Sequence, residues 1–358
     1  MIDKYLNTEP YGMNTNAKRK LLLKDLNNLT KYHAGYCKPY QNIIKGLWSN
    51  NIQAKKIEDV PFIPVSLFKA LDLRSVEEND IRSTMTSSGT TGQTVSKVYI
   101  DAETSQNQQK GLANSLQHIL GKKRLPMLVL DTDEAFKNPK YMNARGAGVL
   151  GMMRYGREHS FALSANLEPD VEAINNFLEA HGSSPFFMFG FTYLVWSRFH
   201  EILKGNGIDL ANGTLIHSGG WKKMIESSVD NEEFRNCFNQ NFNLSNIYNF
   251  YGMVEQLGSI FLEGPNGLLY PPNFSDVIIR DPKTFDVLPS GKEGVVQVCS
   301  ILPSSYPGHS LLTEDIGVIE SCRNSEDGWN DEGLKIIGRI PKAEIRGCSD
   351  VISQQESV

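Results

Sequence analysis

The stretch best equipped for chemistry is Thr86-Ser87-Ser88-Gly89-Thr90-Thr91-Gly92-Gln93, which runs on into Thr94-Val95-Ser96-Lys97. From Thr86 to Gly92 every residue is a glycine or carries a small hydroxyl. Such a loop offers successive backbone N–H groups and several O–H donors, a combination suited to cupping phosphate. The G-x-x-x-x-G-K-[ST] spacing of a Walker loop is absent, and a Ser/Thr-rich surface turn reads the same way. A second stretch is Ile247-Tyr248-Asn249-Phe250-Tyr251-Gly252-Met253-Val254-Glu255. Its aromatics can stack on a base, its glycine lets backbone approach a ligand, and its carboxylate can meet a metal. A plain Tyr-Gly turn with an exposed glutamate is equally compatible. The third stretch is Leu312-Thr313-Glu314-Asp315-Ile316-Gly317. An aspartate at a strand end can accept both hydroxyls of a ribose, or simply cap a β-turn.

The elements that must position these residues follow from periodicity. Leu21, Leu22, Leu26 and Leu29 form one helical stripe, and Ile43, Ile44 and Leu47 a second. The prolines of Val60-Pro61-Phe62-Ile63-Pro64-Val65 hold the next segment extended. From about residue 84 to 260, apolar strands (Met127 to Asp131, Pro185 to Gly190, Thr214 to His217) alternate with helical patterns such as Val171 to Ala180. That alternation predicts an α/β sheet with crossover helices. Beyond about 270, Val277 to Arg280 and Gly294 to Val298 are separated by turn residues, which predicts a β-rich, barrel-like part. The expected organisation is a helical layer over 1–65, an αβ core over 66–268, a β-rich subdomain over 269–338 and a tail over 339–358.

The chain has 358 residues, 36 basic and 41 acidic side chains and a formal net charge of −5, with 40% hydrophobic residues. This is the composition of an ordinary globular protein and weighs against a nucleic-acid-binding surface. Five scattered cysteines (Cys37, Cys237, Cys299, Cys322, Cys348), with no C-x-x-C pair, argue against a zinc site or disulfide framework. Neither a basic-then-apolar leader nor a long apolar run is visible, so the expected setting is the cytoplasm without a membrane span.

Taken in order, T-S-S-G-T-T-G, Y-G-x-x-E, T-x-D and Gly338-Arg339 resemble the motifs of the adenylate-forming superfamily of acyl-CoA synthetases, luciferases and peptide-synthetase adenylation domains. The resemblance implies that fold's N-terminal part, with layered αβ sheets and a small β-rich subdomain, and implies ATP and Mg²⁺. It places nucleotide binding on Ser87, Ser88, Gly89, Thr90, Thr91, Gly92, Gly219, Gly220, Tyr251, Gly252, Asp315 and Arg339. Mg²⁺ binding falls on Glu255. Nearly the whole chain resembles the LuxE family of acyl-protein synthetases more closely. The matching segments are Val60 to Lys69, Gly219-Gly220-Trp221-Lys222, Ser305-Tyr306-Pro307 and Lys342-Ala343-Glu344-Ile345-Arg346-Gly347-Cys348-Ser349. In that family the terminal cysteine carries the acyl group as a thioester, which places the role on Cys348.

Two departures stand out. Thr94-Val95 replace the usual Pro-Lys after the phosphate loop, and Glu314 stands where the superfamily usually has glycine. The superfamily also continues for about another domain past the Gly-Arg hinge. It places a catalytic lysine there, whereas residues 340–358 follow here, so that lysine is unassigned and most of the usual C-terminal domain is expected to be missing. The implied activity is ATP-dependent activation of a carboxylic, fatty-type acid and its transfer to Cys348 for a partner reductase or acyltransferase. Ligation to coenzyme A or a carrier protein is the alternative, and a non-catalytic acyl- or nucleotide-binding subunit a second. His217 could be a site residue or a core histidine. Phe186, Phe187, Phe189, Phe191, Tyr193 and Trp196 could line an acyl pocket or fill a core.

Overall fold

The computed structural model describes residues 2–48, 52–87, 95–137, 144–220, 229–321 and 328–340. Its first three strands are β1 (Ile63–Pro64), β2 (Ser83–Thr86) and β3 (Lys97–Ile100). Next come β4 (Leu125–Val129), β5 (Gly156–Phe161), β6 (Phe186–Phe191), β7 (Gly213–Ser218) and β8 (Asn246–Tyr251). The last six are β9 (Phe261–Glu263), β10 (Leu269–Tyr270), β11 (Ser275–Arg280), β12 (Gly294–Ser300), β13 (Ser310–Ser321) and β14 (Glu332–Arg339). Compactness divides the chain into two units, each discontinuous in sequence. Unit one comprises Met1–Ser87, Thr94–His118 and Tyr251–Glu344; unit two comprises Ser88–Gln93, Ile119–Phe250 and Ile345–Val358.

In unit one, β11, β12, β13, β14, β10 and β9 pair antiparallel in that order. No pairing among the described residues joins β11 to β9, so the barrel-like closure expected beyond 270 is instead an open meander. Helices cover the meander. Leu22, Leu26 and Leu29 of helix Thr15–Tyr36 bury themselves with Ile278 and Cys299. Asn14 caps that helix by accepting from the N–H of Asn16 and Ala17. Lys18 and Arg19 of its first turns lie 3.3 and 2.7 Å from the two oxygens of Asp276 on β11. Burial works against the Asp276 charge, yet these two cations hold its carboxyl below the usual range. The second stripe is only partly as expected. Helix Lys38–Trp48 buries Tyr40 and Ile44, while Leu47, past them in the last turn, is 68% exposed.

In unit two, β5, β4, β6, β7 and β8 form a parallel sheet in that order. Helices Ala144–Met153, Val171–His181 and Asn231–Phe242, with the helical run over 192–203, supply the crossovers. A parallel sheet covered on both faces needs continuous apolar strands, and all six residues of β6 are buried. Phe186 joins Leu128, Met188, Leu215, Ile247 and Trp196 in one core cluster. These aromatics therefore pack the core, as the plainer reading of that run expected. The strand order reverses between β4 and β6, the point in open α/β sheets outside whose carboxyl ends ligands bind.

Candidate functional site

Unit one brings together three of the sequence motifs. Tyr251, the last residue of β8, donates its hydroxyl to Asp315 Oδ2 at 2.8 Å. Arg339 on β14 faces Asp315 on β13 in the antiparallel register, and its Nε lies 3.2 Å from Asp315 Oδ1. The same guanidinium reaches Glu314 Oε2 through Nη2 at 2.9 Å. Glu314, where the superfamily usually has glycine, is thus an anchor for Arg339. Thr313 explains the T-x-D spacing. Its hydroxyl donates to the Val296 carbonyl at 2.8 Å and accepts from the Asp315 N–H at 3.1 Å. Burial raises the Asp315 carboxyl above its ordinary range, opposed by the Tyr251 hydrogen bond and the Arg339 charge. Burial and the Asp315 charge push the Tyr251 phenol well up, so it stays a hydrogen-bond donor.

Glu255 sits on the one-turn helix Val254–Gln256, which follows directly from the Tyr251-Gly252 turn, and is only 2% exposed. The exposed glutamate of the plainer reading is therefore excluded. Its neighbour Gln256 clamps the turn by donating to the carbonyls of Gly308 at 2.8 Å and Val298 at 3.2 Å. A Cβ on Gly308 would fall 2.6 Å from the Glu255 carbonyl oxygen, so only glycine lets the two chains close up. Gly258 is constrained twice, with φ at +83° and a built Cβ 2.6 Å from the Gln108 carbonyl. Gln256 and Gly308 are supporting residues that motif reading misses. Their outward signal is adjacency to Glu255 and to the Ser305-Tyr306-Pro307 run.

Among the described residues no cluster of three or more His, Cys, Asp or Glu side chains could hold a metal. Mg²⁺ commonly takes one or two carboxylates together with substrate phosphates. A single buried carboxylate such as Glu255 fits that pattern and does not fit an all-protein cage.

At the foot of the Ser/Thr/Gly loop, β2 and β3 pair as a hairpin. Ser87 closes it, its N–H donating to the Ser96 carbonyl at 3.1 Å and its Oγ accepting from the Ser96 N–H at 3.0 Å. The Ser87 O–H is still able to donate. Ser88, Gly89, Thr90, Thr91, Gly92, Trp221, Lys222, Cys322 and Cys348 lie outside the described residues. In unit two, Gly219 has φ at +95°, a conformation that favours glycine, and Gly220 follows it after β7. His217 on β7 is buried, with Nδ1 2.9 Å from the Thr192 hydroxyl and its ring stacked on Phe234. Burial, reinforced by Arg235, lowers it to about 3, so it is neutral. An open cavity of about 350 Å³ on unit one is lined by Asp72, Arg74, Glu78, Ile81, Thr84 and Tyr99, none of them a motif residue.

A solved structure of 2-hydroxyisobutyryl-CoA ligase in an open conformation matches this fold with a TM-score of 0.67 at 16% identity, covering 94% of this chain and 78% of that one. The architecture is that of the adenylate-forming enzymes. The chain belongs to the acyl-protein synthetase family LuxE, whose match spans residues 1–356, and is by that membership a ligase. Two relatives are similar to it, each named long-chain-fatty-acid–luciferin-component ligase. The Vibrio harveyi protein is 22% identical over 96% of this chain and 90% of its own length. The Aliivibrio fischeri protein has the same identity and coverage. No helix among the described residues is long and apolar enough to cross a membrane.

Proposed function

We propose that the protein uses ATP to activate a carboxylic acid, of the fatty kind its relatives are named for, and loads the acyl group on its own Cys348. The observation that carries this reading is the joining of Tyr251, Asp315 and Arg339, with buried Glu255 four residues from Tyr251. A carboxylate resists attack because its charge is delocalised and oxide does not leave. One of its oxygens attacks the α-phosphorus of ATP, the bond to pyrophosphate breaks, and an acyl-adenylate forms. The Cys348 thiolate then attacks the acyl carbon, a C–S bond forms and AMP leaves, so two easier steps replace one hard transfer. Asp315 would accept ribose hydroxyls on lone pairs not used by Tyr251 and Arg339. N–H and O–H groups of the 87–92 loop, with Gly219 and Gly220, would hold the nucleotide. Glu255 would hold Mg²⁺, which supplies neutralisation of phosphate charge. A reductase or acyltransferase partner would collect the thioester.

The test is to incubate the protein with labelled acids and ATP–Mg²⁺ and read intact and peptide masses. A hydroxylamine-sensitive adduct on Cys348, lost in Cys348→Ser while pyrophosphate exchange persists, is the expected result. Undiminished acylation of Cys348→Ser defeats the cysteine assignment. Exchange without any adduct favours transfer to coenzyme A or a carrier protein, and no turnover with any acid favours a binding subunit. Glu255→Gln is expected to lower exchange by well over about tenfold, the scale of a lost charge-stabilising group.

A further inference from the structure

The antiparallel pair of β13 and β14 carries an irregularity beside the site. Ile316 pairs with Gly338 but Gly317 with Ile336, so Ile337 is an extra residue bulged out of β14 and 47% exposed. Gly317 faces the bulge, and a Cβ there would fall 2.9 Å from the Lys335 carbonyl oxygen. Bulges bend a strand and re-aim the side chains next to them. Arg339 follows two residues later. Its guanidinium meets two successive residues of β13, which in a regular strand point to opposite faces. Nη2 donates to Glu314 Oε2 at 2.9 Å, and Nε lies 3.2 Å from Asp315 Oδ1. The Glu314 carbonyl also accepts from the Ile340 N–H at 2.9 Å, so Glu314 grips this end of the pair through backbone as well as side chain. The side chains of Glu314, Asp315 and Arg339 are 22, 19 and 33% exposed, so a ligand can reach them.

Nε and Nη2 form an edge of the guanidinium that can close on a single carboxylate as a fork. Here that edge is divided between two carboxylates. We infer that Glu314 is a positioning residue: by holding Nη2 it keeps the Arg339 fork from closing on Asp315, and so leaves Asp315 able to accept two hydroxyls of a ligand. An ionised carboxylate has about four lone-pair sites. The Tyr251 hydroxyl and Nε of Arg339 occupy one each, which leaves two, one for each hydroxyl of a ribose. A closed fork would bring Nη2 onto Oδ2, where Tyr251 already sits, and leave one. Glu314 acts through Arg339 and need not touch the ligand. This role rests on the ribose-binding reading of Asp315 above and says what keeps that carboxylate open.

The experiment measures pyrophosphate exchange with ATP, 2′-deoxy-ATP and 3′-deoxy-ATP. Wild type is expected to favour ATP over each analogue by at least about a hundredfold in kcat/KM. Glu314→Ala removes the acceptor for Nη2 without adding the backbone freedom of a glycine. It is expected to narrow that preference by at least about tenfold, chiefly through a higher KM for ATP, the scale of one hydrogen bond to a charged group. Glu314→Gln still offers Nη2 an oxygen and should stay within about threefold of wild type. A preference unchanged in Glu314→Ala overturns the inference. So does a loss of kcat/KM equal for ATP and both analogues, the mark of a merely structural role, and so does a Glu314→Gln variant as impaired as Glu314→Ala. If exchange is absent, or wild type is blind to the ribose hydroxyls, the reading of the site fails instead. The crystal structure of Glu314→Ala then decides: Nε and Nη2 both on Asp315 bear the inference out, and an Arg339 that has not closed on Asp315 overturns it.

Discussion

Two aspartates, the partly buried Asp315 in unit one and the buried Asp131 in unit two, are treated in opposite ways. Asp315 has both carboxylate oxygens engaged by its own protein, Tyr251 on one and Arg339 on the other. Asp131 has one oxygen held by a neighbouring N–H, while the other meets an arginine without forming a hydrogen bond. The first arrangement is complete on folding, so its geometry is fixed before any ligand arrives. Preorganisation of this kind suits a part of the substrate that never varies, such as a ribose. The second leaves one buried carboxylate oxygen without a hydrogen bond, so its geometry is held less firmly.

The sharpest way to break this contrast is to remove the charge of each aspartate. Asp315→Asn is expected to lower pyrophosphate exchange about a hundredfold with every acid alike, the scale of a lost preorganised group. Asp131→Asn should leave the ATP dependence in place. An Asp315 effect that differs from acid to acid would collapse the distinction.

Acid titration probes both units at once. Burial lowers His33 in unit one and His217 in unit two to about 3 and pushes His309, stacked on His33, well down. The unfolded chain protonates these rings near pH 6.5, whereas the folded chain does not until far lower. Stability is therefore full above about pH 6.5 and falls as pH drops from there towards 3, by about 1.4 kcal/mol per pH unit per histidine. Denaturant melts at pH 7 and 5 should differ by about 2 kcal/mol per buried histidine. His217→Gln should remove one share; a slope that it leaves unaltered would show that His217 is protonated in the folded state.

The smallest expected effect is that of Tyr251→Phe. It deletes the 2.8 Å bond, but Arg339 still holds the other Asp315 oxygen. A loss of about tenfold in exchange is expected, the scale of one hydrogen bond to a charged group. A loss as large as that of Asp315→Asn would mean that the two contacts act as one unit.

Much of the fold was legible in local pattern. The apolar runs at Met127, Phe186 and Thr214 became β4, β6 and β7, and the helix expected over Val171 to Ala180 spans Val171–His181. The hydroxyl- and glycine-rich loop stands between two strands, as the apolar residues after it suggested. These features depend on neighbours in sequence, through side-chain period and turn chemistry.

What the sequence determined by itself was therefore which residues carry donors, acceptors and charge, which segments are strand or helix, and the family resemblance in the order of its motifs. Only the tertiary structure decided that Arg339 faces Asp315, that Gln256 grips Gly308 behind Glu255, that β11 and β9 leave the meander open, and that Leu47 is exposed. The physical reason is register. A strand's period of two tells which residues share a face, but not which residue of a distant strand will lie opposite. That is settled by packing across the whole unit, where Asp131 and Arg145 are brought together and left incompletely paired.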